Sequence, residues 1–86
     1  MTEINETLKD RGEIYGTYKT NAQITQDLKN VMEKTQNWSL LSDDKKESLH
    51  MIAHKIGRIL NGDPEYADSW HDIAGYAMLT EKLCTN

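Results

Sequence analysis

The chain has 86 residues, a formal net charge of −4, and 37% hydrophobic side chains that include two Trp and four Tyr but no Phe. At this size only about 60–65% of the unfolded surface can be buried on folding, so one thin-cored domain over 1–86 is expected, with homo-oligomerisation supplying further burial. The acidic balance disfavours nucleic acid as a partner, because no basic field is present to neutralise a phosphate backbone. No apolar run approaches the roughly 20 residues that span a bilayer, and the start MTEINETLKD has neither a basic n-region nor an apolar h-region. A cytoplasmic location with no membrane contact is therefore expected. Cys84 is the single cysteine, which excludes an internal disulfide and any multi-cysteine zinc site.

Apolar positions recur at three- and four-residue spacing and the only proline is Pro64, so the predicted class is all-α. Ile4 and Leu8 mark a short N-terminal helix ending near Arg11-Gly12. A second helix is predicted from Asn21 to Lys34, with Ile24, Leu28, Val31 and Met32 on one stripe. Gln36 to Leu41 reads as a connection with Trp38 and Leu40 or Leu41 tucked inward. Ser42 then caps a third helix whose first turn holds Asp43 and Asp44 and whose stripe is Leu49, Ile52, Ala53, Ile56, Ile59 and Leu60. Gly62 is the expected left-handed terminator. Asp63 fits a cap and Pro64 the first helical position, so a fourth helix is predicted to begin there and to present Tyr66, Trp70, Ile73, Ala77, Leu79 and Leu83. The result is three main helices plus the short N-terminal one.

So short a connection at Gly62-Asp63 folds the last two helices into an antiparallel αα-hairpin. Pairing positions about a midpoint at residue 63 sets Arg58 opposite Asp68, His54 opposite Asp72 and Lys55 opposite His71. His50, His54 and Arg58 form one row at i, i+4, i+8, and Asp68 and Asp72 form the facing row. Gly57 and Gly75 each cost roughly 1 kcal/mol relative to alanine, and both are placed to open space beside these rows. Two readings stand. One is close helix packing flanked by ordinary ion pairs; the other is a shallow pocket rimmed by His54, Lys55, Arg58 and the two aspartates. Near the N-terminus, RGEIYGTY sets Arg11 beside Tyr15, Gly16 and Tyr18 in a predicted loop. Arginine with an aromatic ring suits a phosphate and a base, although the tyrosines also suit packing on an interhelical turn.

Catalytic patterns are sparse. His71-Asp72 with His54 imitates the metal-binding pair of HD-type phosphohydrolases, but no downstream aspartate follows Asp72, and adjacent helix residues point about 100° apart. Glu47 with His50, and Glu65 with Asp68, imitate the carboxylate pairs that hold magnesium in MazG-type all-α nucleotide pyrophosphohydrolases. Antiparallel packing separates Glu47 from Glu65 by roughly 20 Å at 1.5 Å per residue. No metal site or cofactor is expected, and no Ser/His/Asp set, P-loop or dinucleotide fingerprint is present.

The elements RGEIYG, HKIGRIL and DSWHDIAGYA together resemble a family of short, largely uncharacterised phage and prophage proteins that share R-x-x-x-YG and D-x-W-x-DIAGYA elements. The resemblance covers about two thirds of the chain and matches Arg11, Tyr15, Gly16, Lys55, Arg58, Asp68, Trp70, Asp72, Gly75 and Tyr76. It implies a phage origin and a compact helical fold, with no established activity. The preferred expectation is a non-enzymatic phage protein that sequesters a small anionic ligand such as a nucleotide at Arg11, Tyr15, Lys55, Arg58, Asp68 and Asp72, and so counters host defence. The alternatives are a module that inhibits a host protein and a MazG-like pyrophosphohydrolase using Asp68 and Asp72.

Overall fold

The structure is a computed structural model, and it describes residues 14–86. The N-terminal helix around Ile4 and Leu8 lies outside the described residues, as does Arg11. The rest is all-α, as predicted: α1 (Tyr18–Glu33), a 3-10 turn (Gln36–Leu40), α2 (Asp43–Asn61) and α3 (Ala67–Leu83).

α1 starts three residues before the predicted Asn21. Thr17 is in extended conformation and its hydroxyl accepts the N–H of Thr20 at 3.4 Å, so it serves as the cap. Its buried residue is Thr25, whose hydroxyl lies where a side chain on Gly57 would have to go. That close approach sets the rotation of α1. Ile24, Leu28 and Met32 remain half-buried, whereas Val31, predicted on the same stripe, is turned out to solvent.

α2 is the central element, packing against α1 on one side and α3 on the other. Its buried residues are Ala53, Lys55, Gly57 and Ile59, an alternation that no one-sided helix produces. Ala53 and Gly57, four apart, belong to the side toward α1, where Gly57 meets Thr25 and Asn21; Lys55 and Ile59 belong to the side toward α3. The predicted stripe ran between these two faces, so its ends are exposed: Leu60 largely and Leu49 partly. In the connection before α2, Trp38 and Leu41 are half-buried and Leu40 is exposed.

The α2–α3 turn corrects two expectations. Gly62 ends α2 with φ −118° and ψ −136°, not in the left-handed region. A glycine is needed there for room, since any Cβ would run into the carbonyl of Ile14 and the backbone of Tyr15. Asp63 does not start a helix at once. Its Oδ1 accepts the N–H of Glu65 at 2.9 Å, a local turn that competes with helix, and α3 begins only at Ala67 with Tyr66 as its cap residue. The longer turn displaces the hairpin register by one position where Lys55 meets Asp72 and by two where Ser48 meets Thr80.

Among the described residues the buried apolar side chains are Ala53 and Ile59 alone, and no large side chain is fully buried. The rest of the interior is half-buried. Among the described residues no helix is long and apolar enough to cross a membrane.

Candidate functional site at the α2–α3 corner

A loop, a helix and a turn build this site together. Gly16 takes φ +82°, a backbone state that side chains disfavour, and it turns the chain just before α1. The loop is then clasped from below. Asn61, in the last turn of α2, uses its side-chain amide to donate to the carbonyls of Tyr15 (3.4 Å) and Thr17 (3.0 Å) and to Oδ1 of Asn21 (3.1 Å). Asn21 donates in turn to the Tyr15 carbonyl at 2.7 Å, and the Asp63 N–H donates to the carbonyl of Ile14 at 2.6 Å.

This clasp fixes the ring of Tyr15. The Arg58 guanidinium carbon sits 4.3 Å from the ring centroid, within cation–π range. Tyr66, in the α2–α3 turn, meets the same ring edge-on, with centroids 5.8 Å apart and planes at 88°. Tyr15, through its charge when ionised and through a hydrogen bond between the two side chains, raises the Tyr66 phenol above its ordinary value. One helical turn from Arg58, buried Lys55 reaches Asp72 at 2.9 Å. The hydrogen bond from Lys55 holds the Asp72 carboxyl below its ordinary value against partial desolvation, with the charges of Lys55, His71 and Arg58 adding to the effect.

Four of the six residues singled out from sequence, Tyr15, Lys55, Arg58 and Asp72, thus come together. Asp68 is exposed and makes no ion pair among the described residues, so the expected Arg58–Asp68 pairing is replaced by Arg58 on Tyr15. The expected His54–Asp72 pairing is replaced by Lys55–Asp72, because the register is one position away. His50 does not join the seam either. It faces Glu33 of α1 at 3.5 Å and lies against Trp38 with ring centroids 5.0 Å apart. His54 is held below its ordinary value by burial, then by the positive charges of Arg58, Lys55 and Lys29.

The glycines also divide. Gly57 serves the α1–α2 contact, not the seam, whereas Gly75 has open space where a Cβ would stand. Gly75 lines a shallow depression of about 330 Å³ with His71, Asp72, Tyr76 and Leu79. The depression shares Asp72 with the ion pair. Among the described residues no three His, Cys, Asp or Glu side chains converge as a metal site would require.

Sequence reasoning missed Asn61, Asn21 and Tyr66 as the residues that hold the site in shape. An asparagine in the last turn of a helix, just before a glycine, was the available signal, but its partners lie 40 or more residues away.

The profile of a domain of unknown function, DUF6378, matches residues 1–84. The chain belongs to the DUF6378 family. The match takes in the Tyr15 loop, the Lys55–Arg58 segment and the whole of α3, so the site is built from sequence that the family profile spans. No curated protein and no solved structure matches the chain.

Proposed function

We propose that this DUF6378 protein binds a small anionic ligand, of nucleotide type, at the corner formed by Tyr15, Lys55 and Arg58. One observation carries the reading. Arg58 has no carboxylate partner within ion-pair distance among the described residues, and its planar guanidinium is already oriented by the ring of Tyr15. A guanidinium so placed offers the fork of donors that phosphate oxygens accept. Lys55 is the weaker contributor, because an anion must compete with Asp72 for it. The neighbouring depression supplies Tyr76 and Leu79 for the uncharged part of a ligand. Arg11 is a candidate additional cation from the N-terminal segment.

In this reading the protein is non-enzymatic, and it is of phage origin, which is what the family resemblance implies. It acts in the host cytoplasm by sequestering a nucleotide signal used in defence. A second reading, a module that engages a host protein, is favoured by the exposed Trp70, Met78, Leu79 and Leu83 of α3. The third, a MazG-like pyrophosphohydrolase, would use Asp68 and Asp72.

A thermal-shift screen with mono-, di-, tri- and cyclic nucleotides, with and without Mg²⁺, separates the three. A metal-independent rise in Tm that is lost in Arg58→Gln supports sequestration. A metal-dependent rise with turnover supports the enzyme, and no rise with any nucleotide overturns the binder in favour of the protein partner.

A further inference from the structure

The two interior glycines of the hairpin stand in opposite surroundings. Glycine inside a helix is destabilising relative to alanine, so each calls for a reason. Gly57 has one, since a Cβ at that position would lie 2.9 Å from the Thr25 hydroxyl. Gly75 sits in the middle of α3, is exposed, and has no atom of the described residues within 4 Å of where its Cβ would stand. Packing among the described residues gives no reason for it. What the missing side chain does supply is a bare floor. His71, Gly75 and Leu79 follow one another at four-residue steps along one strip of α3. His71 and Leu79 therefore stand roughly 12 Å apart along the axis at 1.5 Å per residue, with uncovered backbone midway between them. Half-buried Asp72 and Tyr76 bound the strip on the side of the α2–α3 seam. The depression so enclosed holds about 330 Å³, the lower end of the range for small-molecule sites, which suits a ring system better than a whole nucleotide.

We propose that this depression seats the base of a bound nucleotide, flat against the backbone that Gly75 leaves bare and between His71 and Leu79, so that Gly75 determines the preference of the site for nucleotides over inorganic phosphates. The inference rests on the anion-binding reading of the Tyr15, Lys55 and Arg58 corner and names what that site holds beyond phosphate.

Two further observations support it. The depression adjoins the corner, because Asp72 on its rim accepts a hydrogen bond from Lys55 at 2.9 Å and lies within reach of the Arg58 charge. For a ligand whose phosphates lie on Arg58, the depression is the neighbouring recess. The lining also has the right chemistry. His71 and Tyr76 carry π-faces, and Leu79 is apolar and 60% exposed. Stacking on such groups accepts any base, since every base has a π-face, whereas an inorganic phosphate gains nothing from them. The site is therefore selective for the presence of a base and tolerant of its identity.

Calorimetric titration of the full chain with ATP and with inorganic triphosphate, which share a phosphate chain and differ by the nucleoside, tests the inference. Wild type should bind ATP at least about tenfold more tightly than triphosphate. Gly75→Leu, which fills the floor of the depression, should weaken ATP by roughly tenfold or more, toward the affinity for triphosphate, and leave triphosphate unchanged. Gly75→Ala should weaken ATP less while raising the denaturation midpoint, a pair of opposite effects that a merely structural glycine would not give. Arg58→Gln should weaken both probes. Helical circular dichroism checks each variant, and nuclear Overhauser contacts from the adenine ring protons to the Leu79 methyls should appear in wild type and vanish in Gly75→Leu. Equal affinity of wild type for the two probes, wild-type affinity for ATP in Gly75→Leu, or an equal loss of both probes in Gly75→Leu would overturn this inference while leaving the anion site standing. Binding of neither probe to wild type would overturn both.

Discussion

The Asn61 side-chain amide joins two segments more than 40 residues apart in the chain, the end of α2 and the Tyr15–Thr17 loop. Three of its hydrogen bonds tie the end of α2 to the chain entering α1, and through Tyr15 they set the position of Arg58. Asn61→Ala leaves the carbonyls it serves short of a partner and should cost about 1–3 kcal/mol in urea denaturation. An unchanged midpoint would show that the clasp is not formed in solution. The two interior glycines should respond oppositely. Gly75→Ala meets nothing and should gain up to about 1 kcal/mol from helix propensity, whereas Gly57→Leu drives atoms into Thr25 and Asn21 and should lose about 2 kcal/mol. Equal midpoints for the two variants would contradict that difference.

His54 gives the pH dependence at this scale. Its folded-state value is depressed below 6.5 by burial and by neighbouring cations, so the unfolded chain takes up the proton first as pH falls. The stability His54 contributes is present above pH 6.5 and is lost as pH falls through the lower folded value. Denaturation midpoints at pH 7.5 and 5.5 should therefore drop for wild type and drop less for His54→Gln. A drop of the same size in both would assign the acid sensitivity elsewhere.

Between elements, the decisive contact is Lys55 with Asp72. A double-mutant cycle on denaturation midpoints with Lys55→Met and Asp72→Asn should show coupling, and one with Arg58→Ala and Asp68→Ala should show none. The reverse pattern would restore the register that a midpoint at residue 63 implies. That midpoint explains how far sequence alone reaches. Helix class, the αα-hairpin and the proximity of Lys55, Arg58 and Asp72 follow from periodicity and a short connection. The register did not, because the Asp63 side chain builds a turn to Tyr66 that cap preferences at Asp63-Pro64-Glu65 do not reveal. The buried faces of α2 were likewise hidden. A hydrophobic stripe assumes one partner, and a helix held between two partners buries Ala53 and Gly57 on one side and Lys55 and Ile59 on the other. Tyr15 was legible as a ring beside a glycine, but its place over Arg58 depends on contacts from residues far along the chain.

At the scale of the whole molecule, an acidic chain of net charge −4 sets Lys29, Lys55 and Arg58 close enough to His54 for their positive charges to act on it. Asp72 balances part of that charge through Lys55. A small anion that completes the balance is the proposed role of the site. Asp72→Asn should therefore strengthen anion binding while loosening the hairpin, an unusual pairing of effects that a merely structural seam would not produce. The most direct measurement is calorimetric titration of the nucleotide giving the largest thermal shift into wild type, Arg58→Gln and Asp72→Asn, each checked for intact helical content. Saturable binding by wild type, at least about tenfold weaker in Arg58→Gln and tighter in Asp72→Asn, is the expected result, since a charge-assisted contact contributes about 1.5–3 kcal/mol. Equal affinity in wild type and Arg58→Gln, or no heat of binding with any nucleotide, would contradict it.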